Sequence, residues 1–416
     1  MDLFIFSLLI LLVVSARVFE RYQLDRNRSR IPIRIHVNGS RGKSSVTRLI
    51  AAALAGGGLK VIAKTTGTTP RIIYEDGAEI PLYRLGSANI REQFHVMKLA
   101  GDRSPDALVI ECMALQPHLQ QLSENRIIQS TVGVITNARP DHLDVMGPSE
   151  EDVAKALAGT IPQGKVLITA EDKHLNLLQD ACVQLQTELI NVNGVDSHQI
   201  TNKMMGRFSY YEHRENIALA LKVAELCGVQ REQAFEGMVK VQPDVGALVA
   251  YQINFFGREI IFVHGFAAND PESSQRIWNL SLESFPEFHQ RILVLNLRSD
   301  RADRSVQLGK ALNQWTPADR VMLMGTGTQI TARQAVKGGF NPLKLMLAEE
   351  KTATEVFEDL IGLVDKRALV VGLGNVSGSG LPLVALCRNR GQNVALSRFY
   401  PVEDPDPSDE KESKLG

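Results

Sequence analysis

The stretch that most constrains this chain is His36-Val37-Asn38-Gly39-Ser40-Arg41-Gly42-Lys43-Ser44-Ser45. A β-branched run, Ile31 to Val37, leads into it and reads as a strand. Val46 to Leu54, rich in alanine and leucine, follows and reads as a helix. A strand, a glycine turn and Lys-Ser at a helix start make a phosphate cradle. Gly39 and Gly42 let backbone N–H groups approach phosphate oxygens with no Cβ in the way. The helix N-terminus adds donors and the positive end of its dipole. In such a loop Ser40, Arg41 and Ser45 line the phosphates, Lys43 reaches the β- and γ-phosphates, and the Ser44 hydroxyl faces Mg²⁺. The longer Walker pattern wants a glycine where Val37 stands, so this is the short GxxGK[ST] form. A plain strand-to-helix turn with a surface lysine is the alternative.

The chain has 416 residues, enough for two or three domains with real cores. A net charge of −1 gives no global reason to expect nucleic acid as a partner. Cys112, Cys182, Cys227 and Cys387 are far apart with no CxxC pair, which argues against a zinc ribbon or a disulfide framework.

Leu3 to Val14 is apolar except for Ser7, and Asp2 precedes it. Arg17, Arg21, Arg26, Arg28 and Arg30 follow it. That polarity is the reverse of a secretory signal. It predicts an uncleaved single membrane anchor over residues 1–20, with the catalytic domains after it in the cytoplasm and the protein at the cell membrane. A buried or interfacial helix is the alternative. Residues 21–30 read as a basic linker able to touch lipid headgroups, or as charge that only sets the orientation of the anchor.

Residues 31–242 alternate strands with helices, which implies an α/β fold with a mostly parallel sheet. The strands fall at Ala107 to Ile110, Thr131 to Thr136 and Lys165 to Thr169, the helices at Ile90 to Ala100, Asp152 to Ala158 and Asn216 to Leu226. Gly228 ends the last of these helices as a C-cap. A second α/β unit covers residues 243–400, with strands such as Arg291 to Leu297 and Ala368 to Gly372. Residues 401–416 are charged, proline-rich and almost free of apolar side chains, and are expected to be disordered.

Glu111 ends an apolar strand, where an acid points into the ligand crevice of a parallel sheet and suits a hard cation such as Mg²⁺. A surface glutamate is the alternative. Thr136-Asn137-Ala138-Arg139-Pro140-Asp141-His142-Leu143-Asp144 follows the next strand. Its acids and imidazole could hold a second metal ion, or Asp141 and Asp144 could be turn and cap residues. Lys64 to Arg71, KTTGTTPR, offers Thr66 and Thr68 hydroxyls to phosphate or carboxylate, or is a flexible turn. Arg298 and Arg301 suit anionic substrates, or pair with Asp300 and Asp303 at a solvated helix start. GLGNVSGSG over residues 372–380 is close to GxGxxG, but Ser377 occupies the third glycine position and no acid follows at the usual distance, against a nicotinamide or flavin site.

Taken in order, these stretches resemble the Mur ligase superfamily of ATP-dependent amide ligases over residues 31 to about 400. GSRGKSS is similar to its nucleotide loop, KTTGTT to its threonine loop, Glu111 to its magnesium glutamate and TNARPDHLD to its TN-x-x-x-DHLD motif. Asn216, ahead of IALAL, resembles the asparagine that contacts the nucleotide base. Amino-acid-adding peptidoglycan ligases carry a UDP-sugar-binding domain before the loop, whereas the segment preceding it here is far below domain size. Folylpolyglutamate synthases have a glycine-rich segment after the magnesium glutamate, unlike ECMALQP. ECMALQP, DHLDVMGP, GFAANDPES, NLRSDRADR and GLGNVSG resemble the B-subunit family of bacterial poly-γ-glutamate synthases.

The resemblance implies a Mur-ligase-type P-loop domain with a parallel sheet, then a Rossmann-like α/β domain, using ATP and Mg²⁺. It implies polymerisation of glutamate through an acyl phosphate with release of ADP and phosphate. It assigns Lys43, Glu111 and His142 to catalysis, Ser44, Glu111 and His142 to metal, and Asn216 and Asn269 to the nucleotide. Its partners would be glutamate, the growing chain and the membrane subunits of a synthesis and export complex, with domain closure bringing Arg298 and Arg301 to the substrates. Two departures stand out. The carbamoylated lysine of many members has only Lys155 near its place, and Gly265 stands where an acid often precedes the asparagine matching Asn269. A folylpolyglutamate-type ligase and a P-loop ATPase coupled to polymer export are the rival functions.

Overall fold

The computed structural model describes residues 2–67, 69–84, 89–140, 142–192 and 194–400. Thr68, Asp141 and the tail 401–416 lie outside the described residues. The elements in chain order are α1 (Asp2–Ser29), β1 (Ile33–Asn38), α2 (Lys43–Gly56), β2 (Val61–Thr65), β3 (Arg71–Ile73), β4 (Glu79–Pro81), α3 (Arg91–Arg103), β5 (Ala107–Glu111), α4 (Pro117–Leu122), β6 (Val132–Ile135), α5 (Leu143–Met146), α6 (Glu150–Ala158), β7 (Val166–Thr169), α7 (Leu175–Gln184), β8 (Glu188–Asn191), α8 (Gly194–His198), α9 (Asn202–Met205), α10 (Arg214–Leu226) and α11 (Arg231–Val239). Then come β9 (Val249–Phe255), β10 (Arg258–Gly265), α12 (Pro271–Ser284), β11 (Gln290–Leu297), α13 (Ala302–Ala311), β12 (Arg320–Gly325), α14 (Thr328–Lys337), β13 (Leu345–Glu349), α15 (Ala353–Leu363), β14 (Arg367–Gly374), α16 (Gly380–Arg390) and β15 (Gln392–Asn393).

Two compact units result. The first joins residues 1–200 and 213–242, the second 201–212 and 243–416. The short excursion 201–212 thus leaves the first unit, because Tyr211 bridges to Leu248 and the Tyr400 hydroxyl donates to the Glu212 carbonyl at 2.6 Å.

The first unit is built on an eight-stranded sheet in the order β4-β3-β2-β5-β1-β6-β7-β8. Strands β2, β5, β1, β6, β7 and β8 are parallel, while β3 and β4 fold back antiparallel at one edge. The chain goes from β1 to β2, returns to insert β5, then crosses to β6. Connections diverge on either side of β1, and ligands of open α/β sheets bind at such a point, beyond the carboxyl ends of the strands. Val37, Ile35, Leu108 and Ile110 are fully buried, as β-branched and apolar runs covered on both faces should be. α2 packs against α10 and α11. There Gly56 and Gly237 are in close approach, and a Cβ on Gly237 would lie 2.2 Å from the Ala52 carbonyl oxygen.

The basic stretch 21–30, expected as a linker, instead continues α1 to Ser29. Leu24, Asn27 and Arg28 are buried. Asn27 sits so close to Gly101 of α3 that a Cβ there would meet its own Cβ at 2.6 Å. The Arg28 guanidinium donates to the Arg126 carbonyl at 3.1 Å and pairs with Asp25. Burial of one face and satisfaction of that charge by backbone oxygens hold the segment helical. Among the described residues no helix is long and apolar enough to cross a membrane. Arg17, Glu20 and Arg21 interrupt the apolar run before it reaches the roughly 20 residues a span needs.

The second unit carries a seven-stranded sheet, β13-β12-β11-β14-β10-β9-β15, with β10 to β14 parallel and β9 and β15 antiparallel at one edge. The glycine-rich loop between β14 and α16 is fastened by Asn296 of β11. Its side-chain amide donates to the Ser377 carbonyl at 2.8 Å, and its carbonyl accepts from Asn375 N–H at 2.9 Å.

Candidate active site

The loop between β1 and α2 runs from a strand into a helix start, as expected from the sequence. Gly39 has φ of 134° and Gly42 φ of 80°, both disfavoured for side chains. A Cβ on Gly39 would fall 2.0 Å from the Thr136 hydroxyl oxygen, and one on Gly42 would fall 3.0 Å from Asn216 Oδ1. Asn216, at the start of α10, therefore lies against the nucleotide loop. No side chain caps α2 and no acid stands in its first turn, which suits an anion at that helix end. Lys43 Nζ donates to the Gly39 carbonyl at 2.6 Å and the Ser40 carbonyl at 3.4 Å, folded over its own loop.

The segment after β6 clamps this loop, a role the sequence alone did not suggest. Ser40 N–H donates to the Asn137 carbonyl at 2.9 Å, and Arg41 N–H to Asn137 Oδ1 at 3.1 Å. The Arg41 carbonyl accepts from the Thr136 hydroxyl at 2.6 Å and from Asn137 Nδ2 at 3.2 Å. The Ser40 hydroxyl donates to the Arg139 carbonyl at 2.7 Å and accepts from Arg139 N–H at 3.0 Å. Glu171, just past β7 and buried, anchors the clamp by accepting from Ala138 N–H at 2.6 Å and His174 N–H at 2.8 Å. Its position at the carboxyl end of a parallel strand, like that of Glu111, was the available signal. Asn137→Ala should loosen the loop and raise the KM for ATP by about tenfold, with a smaller fall in kcat. Steady-state kinetics at varied ATP check this.

Glu111 is 2% exposed at the end of β5 and gathers three elements. Its Oε2 accepts from the Ser44 hydroxyl at 2.9 Å and from Thr66 N–H at 2.6 Å, and its Oε1 accepts from the Thr66 hydroxyl. Gln93 Nε2 of α3 donates to the Glu111 carbonyl at 3.4 Å. A carboxylate and a serine hydroxyl, all oxygen, fit a hard divalent cation that completes its shell with phosphate oxygens and water. Among the described residues no group of three or more His, Cys, Asp or Glu could hold a metal unaided. His142 is in no such group among the described residues. It stands at the head of α5 with φ of 46°, a conformation rare outside glycine.

Lys155 points away from carbamate chemistry. It is more than half exposed on α6 and pairs with Glu151 at 2.7 Å, and that pairing raises its pKa and keeps the amine charged. Beneath the loop, buried His36 Nδ1 lies 2.8 Å from Glu124 Oε2. Burial disfavours its charge, but Cys112 and Glu124 outweigh that and raise its pKa to about 9.

In the second unit Arg298 is forked onto Asp300 at 2.9 and 2.7 Å, the self-paired alternative, and Arg301 is exposed at the start of α13. Asp270 caps α12 by accepting from Ser273 N–H at 2.9 Å, while the neighbouring Asn269 Oδ1 is buried with no partner among the described residues.

The Mur ligase middle domain family matches residues 37–228, the span that holds this site. Poly-gamma-glutamate synthase CapB C-terminal domain matches residues 250–390. Capsule biosynthesis protein CapB of Bacillus anthracis is 34% identical over 384 residues, 92% of this chain and 82% of that protein. The chain belongs to the CapB family. PGA synthase CapB of Bacillus subtilis (strain 168) is 33% identical over 386 residues, 92% of this chain and 97% of that protein. The CapB fold is shared with solved structures at much lower identity. A Mycobacterium tuberculosis folylpolyglutamate synthase complexed with ADP and AMPPCP superposes with a TM-score of 0.61 at 17% identity, over 92% of this chain and 99% of that one. E. coli FolC in complex with DHPP and ADP gives 0.65 at 14%, over 89% and 92%.

Proposed function

We propose that this CapB-family chain polymerises glutamate into poly-γ-glutamate by activating a carboxyl group with ATP as an acyl phosphate, then joining it to the amine of a further glutamate with release of ADP and phosphate. The chain is an ATP-dependent amide ligase of the Mur ligase kind. The observation that carries the proposal is the convergence of Lys43, Ser44, Thr66 and Glu111 on a loop pinned by Thr136, Asn137 and Arg139.

Phosphoryl transfer asks a protein for alignment and charge neutralisation more than for covalent chemistry. Gly39 to Ser45 hold the triphosphate through backbone donors, and the Lys43 ammonium neutralises its terminal oxygens. Ser44 and Glu111 would hold Mg²⁺, which would supply charge stabilisation to the phosphates. On this reading His142 would hold a second ion near the acceptor carboxylate, and Thr66 would serve the substrate. Asn216 orients the nucleotide beside Gly42. Glutamate-dependent release of ADP together with a high-mass γ-amide product, from membranes containing the protein and its partner subunits, tests this reading. ADP released without glutamate dependence would indicate a transport-coupled ATPase, and AMP would indicate an adenylate instead of an acyl phosphate.

We also propose that the apolar start of α1 attaches the protein to the cell membrane, catalytic units on the cytoplasmic side, within a complex of membrane subunits. Phe4, Phe6, Leu8 and Leu11 are each more than half exposed to solvent. A contiguous apolar surface of this kind is costly in water and marks a membrane or partner contact. Deleting residues 1–20 should move the protein from the membrane to the soluble fraction on ultracentrifugation, with the melting temperature of the remainder unchanged. Retention in the membrane fraction would remove α1 as the attachment.

A further inference from the structure

Lys64 is a buried lysine that the mechanism above does not use. It lies on β2, two residues before Thr66, whose N–H and hydroxyl hold Glu111. Its Cα pairs in register with Ile110, the residue before Glu111. The side chain is 0% exposed, and Nζ has no hydrogen-bond partner among the described residues. Glu92 Oε2 lies 3.5 Å away. Glu92 is in turn gripped by the Arg84 guanidinium at 2.7 and 3.0 Å. Burial pulls the Lys64 pKa below the ordinary lysine value, while the fields of Glu92 and Glu111 hold it up. For Glu92, burial favours the neutral acid, but Arg84 and Lys64 outweigh it and keep the carboxyl below its usual range. In formal charge, Lys64 and Arg84 set two cations against the carboxylates of Glu92 and Glu111. A buried lysine 3.5 Å from one carboxylate and within the field of a second calls for an explanation, since an apolar residue would pack there without the desolvation cost.

We propose that Lys64 is the resident counter-charge of Glu111, whose field weakens the hold of that carboxylate on free divalent metal, so that the nucleotide-free protein binds the ion weakly and binds it tightly only when nucleotide brings compensating negative charge. A dication added beside Glu111 alone would leave two uncompensated positive charges in a weakly screened interior close to Lys64. The same dication arriving with a triphosphate is compensated. The absence of any three-residue ligand cluster among the described residues accords with this, because the chain supplies few oxygens of its own. Lys64 is a positioning residue in this scheme and acts through Glu111. The inference rests on the metal reading of Glu111 given under the proposed function.

The test is Mn²⁺ binding to the full-length, nucleotide-free protein, followed by the EPR signal of free Mn²⁺. Lys64→Met should bind Mn²⁺ more tightly than the parent by at least about tenfold. Glu92→Gln, which leaves Lys64 unopposed, should bind it more weakly. A tie that merely holds the loop before α3 in place would make both variants looser and weaken Mn²⁺ binding in both. The proposal is overturned if Lys64→Met binds no more tightly, or if the two variants shift in the same direction. Should Lys64→Met fail to fold, Glu92→Gln alone decides, and unchanged or tighter binding there overturns it. Glu111→Gln separates the two readings. If it binds Mn²⁺ as the parent does, the metal reading of Glu111 fails. If it abolishes binding while Lys64→Met gains nothing, only the role of Lys64 fails.

Discussion

Lys43→Ala is expected to abolish ATP-dependent amide formation, lowering kcat by about a thousandfold or more, while the fold persists. The ammonium is the one formal positive charge the first turn of α2 offers to phosphates, since its other donors are neutral N–H groups and hydroxyls. It is held in the loop by the Gly39 and Ser40 carbonyls, so it needs little reorganisation to meet an incoming anion. Those two hydrogen bonds are worth only about 1 kcal/mol each in net stability, and the side chain is partly exposed, so the melting temperature should fall by a few degrees at most. Parallel assays of ADP release and polymer formation, with a thermal melt of the same preparation, check both halves. Activity retained near the parent level would end the phosphate-cradle reading. Lys43→Arg, which keeps the charge on a wider planar group, should remain strongly impaired, because the cradle is shaped for a point charge.

Glu111→Ala should raise the Mg²⁺ concentration needed for half-maximal activity by more than about tenfold, because it deletes the carboxylate that accepts from Ser44. It should also cost stability of about 1–3 kcal/mol, since buried donors of Thr66 and Ser44 lose their acceptor. Glu111→Gln separates the two effects. Its amide oxygen can still accept from Thr66 and Ser44, so the melting temperature should recover while the Mg²⁺ requirement stays high. A magnesium titration of activity at fixed ATP, beside thermal melts of both variants, measures this. An unchanged titration in both variants would remove Glu111 from the metal site.

Much of this site is legible in the primary structure because it is local. A strand, two glycines at positive φ, a lysine and a helix start are consecutive in the chain, and backbone sterics permit few conformations for such a string. Strand-terminal Glu111 is legible for a related reason: the side chain at the carboxyl end of a parallel strand faces the crevice. Other contacts join residues too far apart to be read in sequence. Thr136 and Asn137 were read within a metal motif, yet they hold the loop nearly a hundred residues upstream. Arg28 looked like a headgroup contact, and it is buried onto the carbonyls of residues 126 and 127.

The amino-acid sequence by itself determined the α/β class, the glycine loop between β1 and α2, and the superfamily, because each follows from short-range pattern and residue type. Only the tertiary structure decided that Thr66 and Ser44 share one carboxylate, that Asn216 lies against Gly42, that residues 201–212 join the second unit, and that Lys64 is sealed beside Glu92. The physical reason is the crossover order of the first sheet. Inserting β5 between β2 and β1 brings the ends of strands distant in sequence to one edge, and no local pattern encodes which side chains meet there.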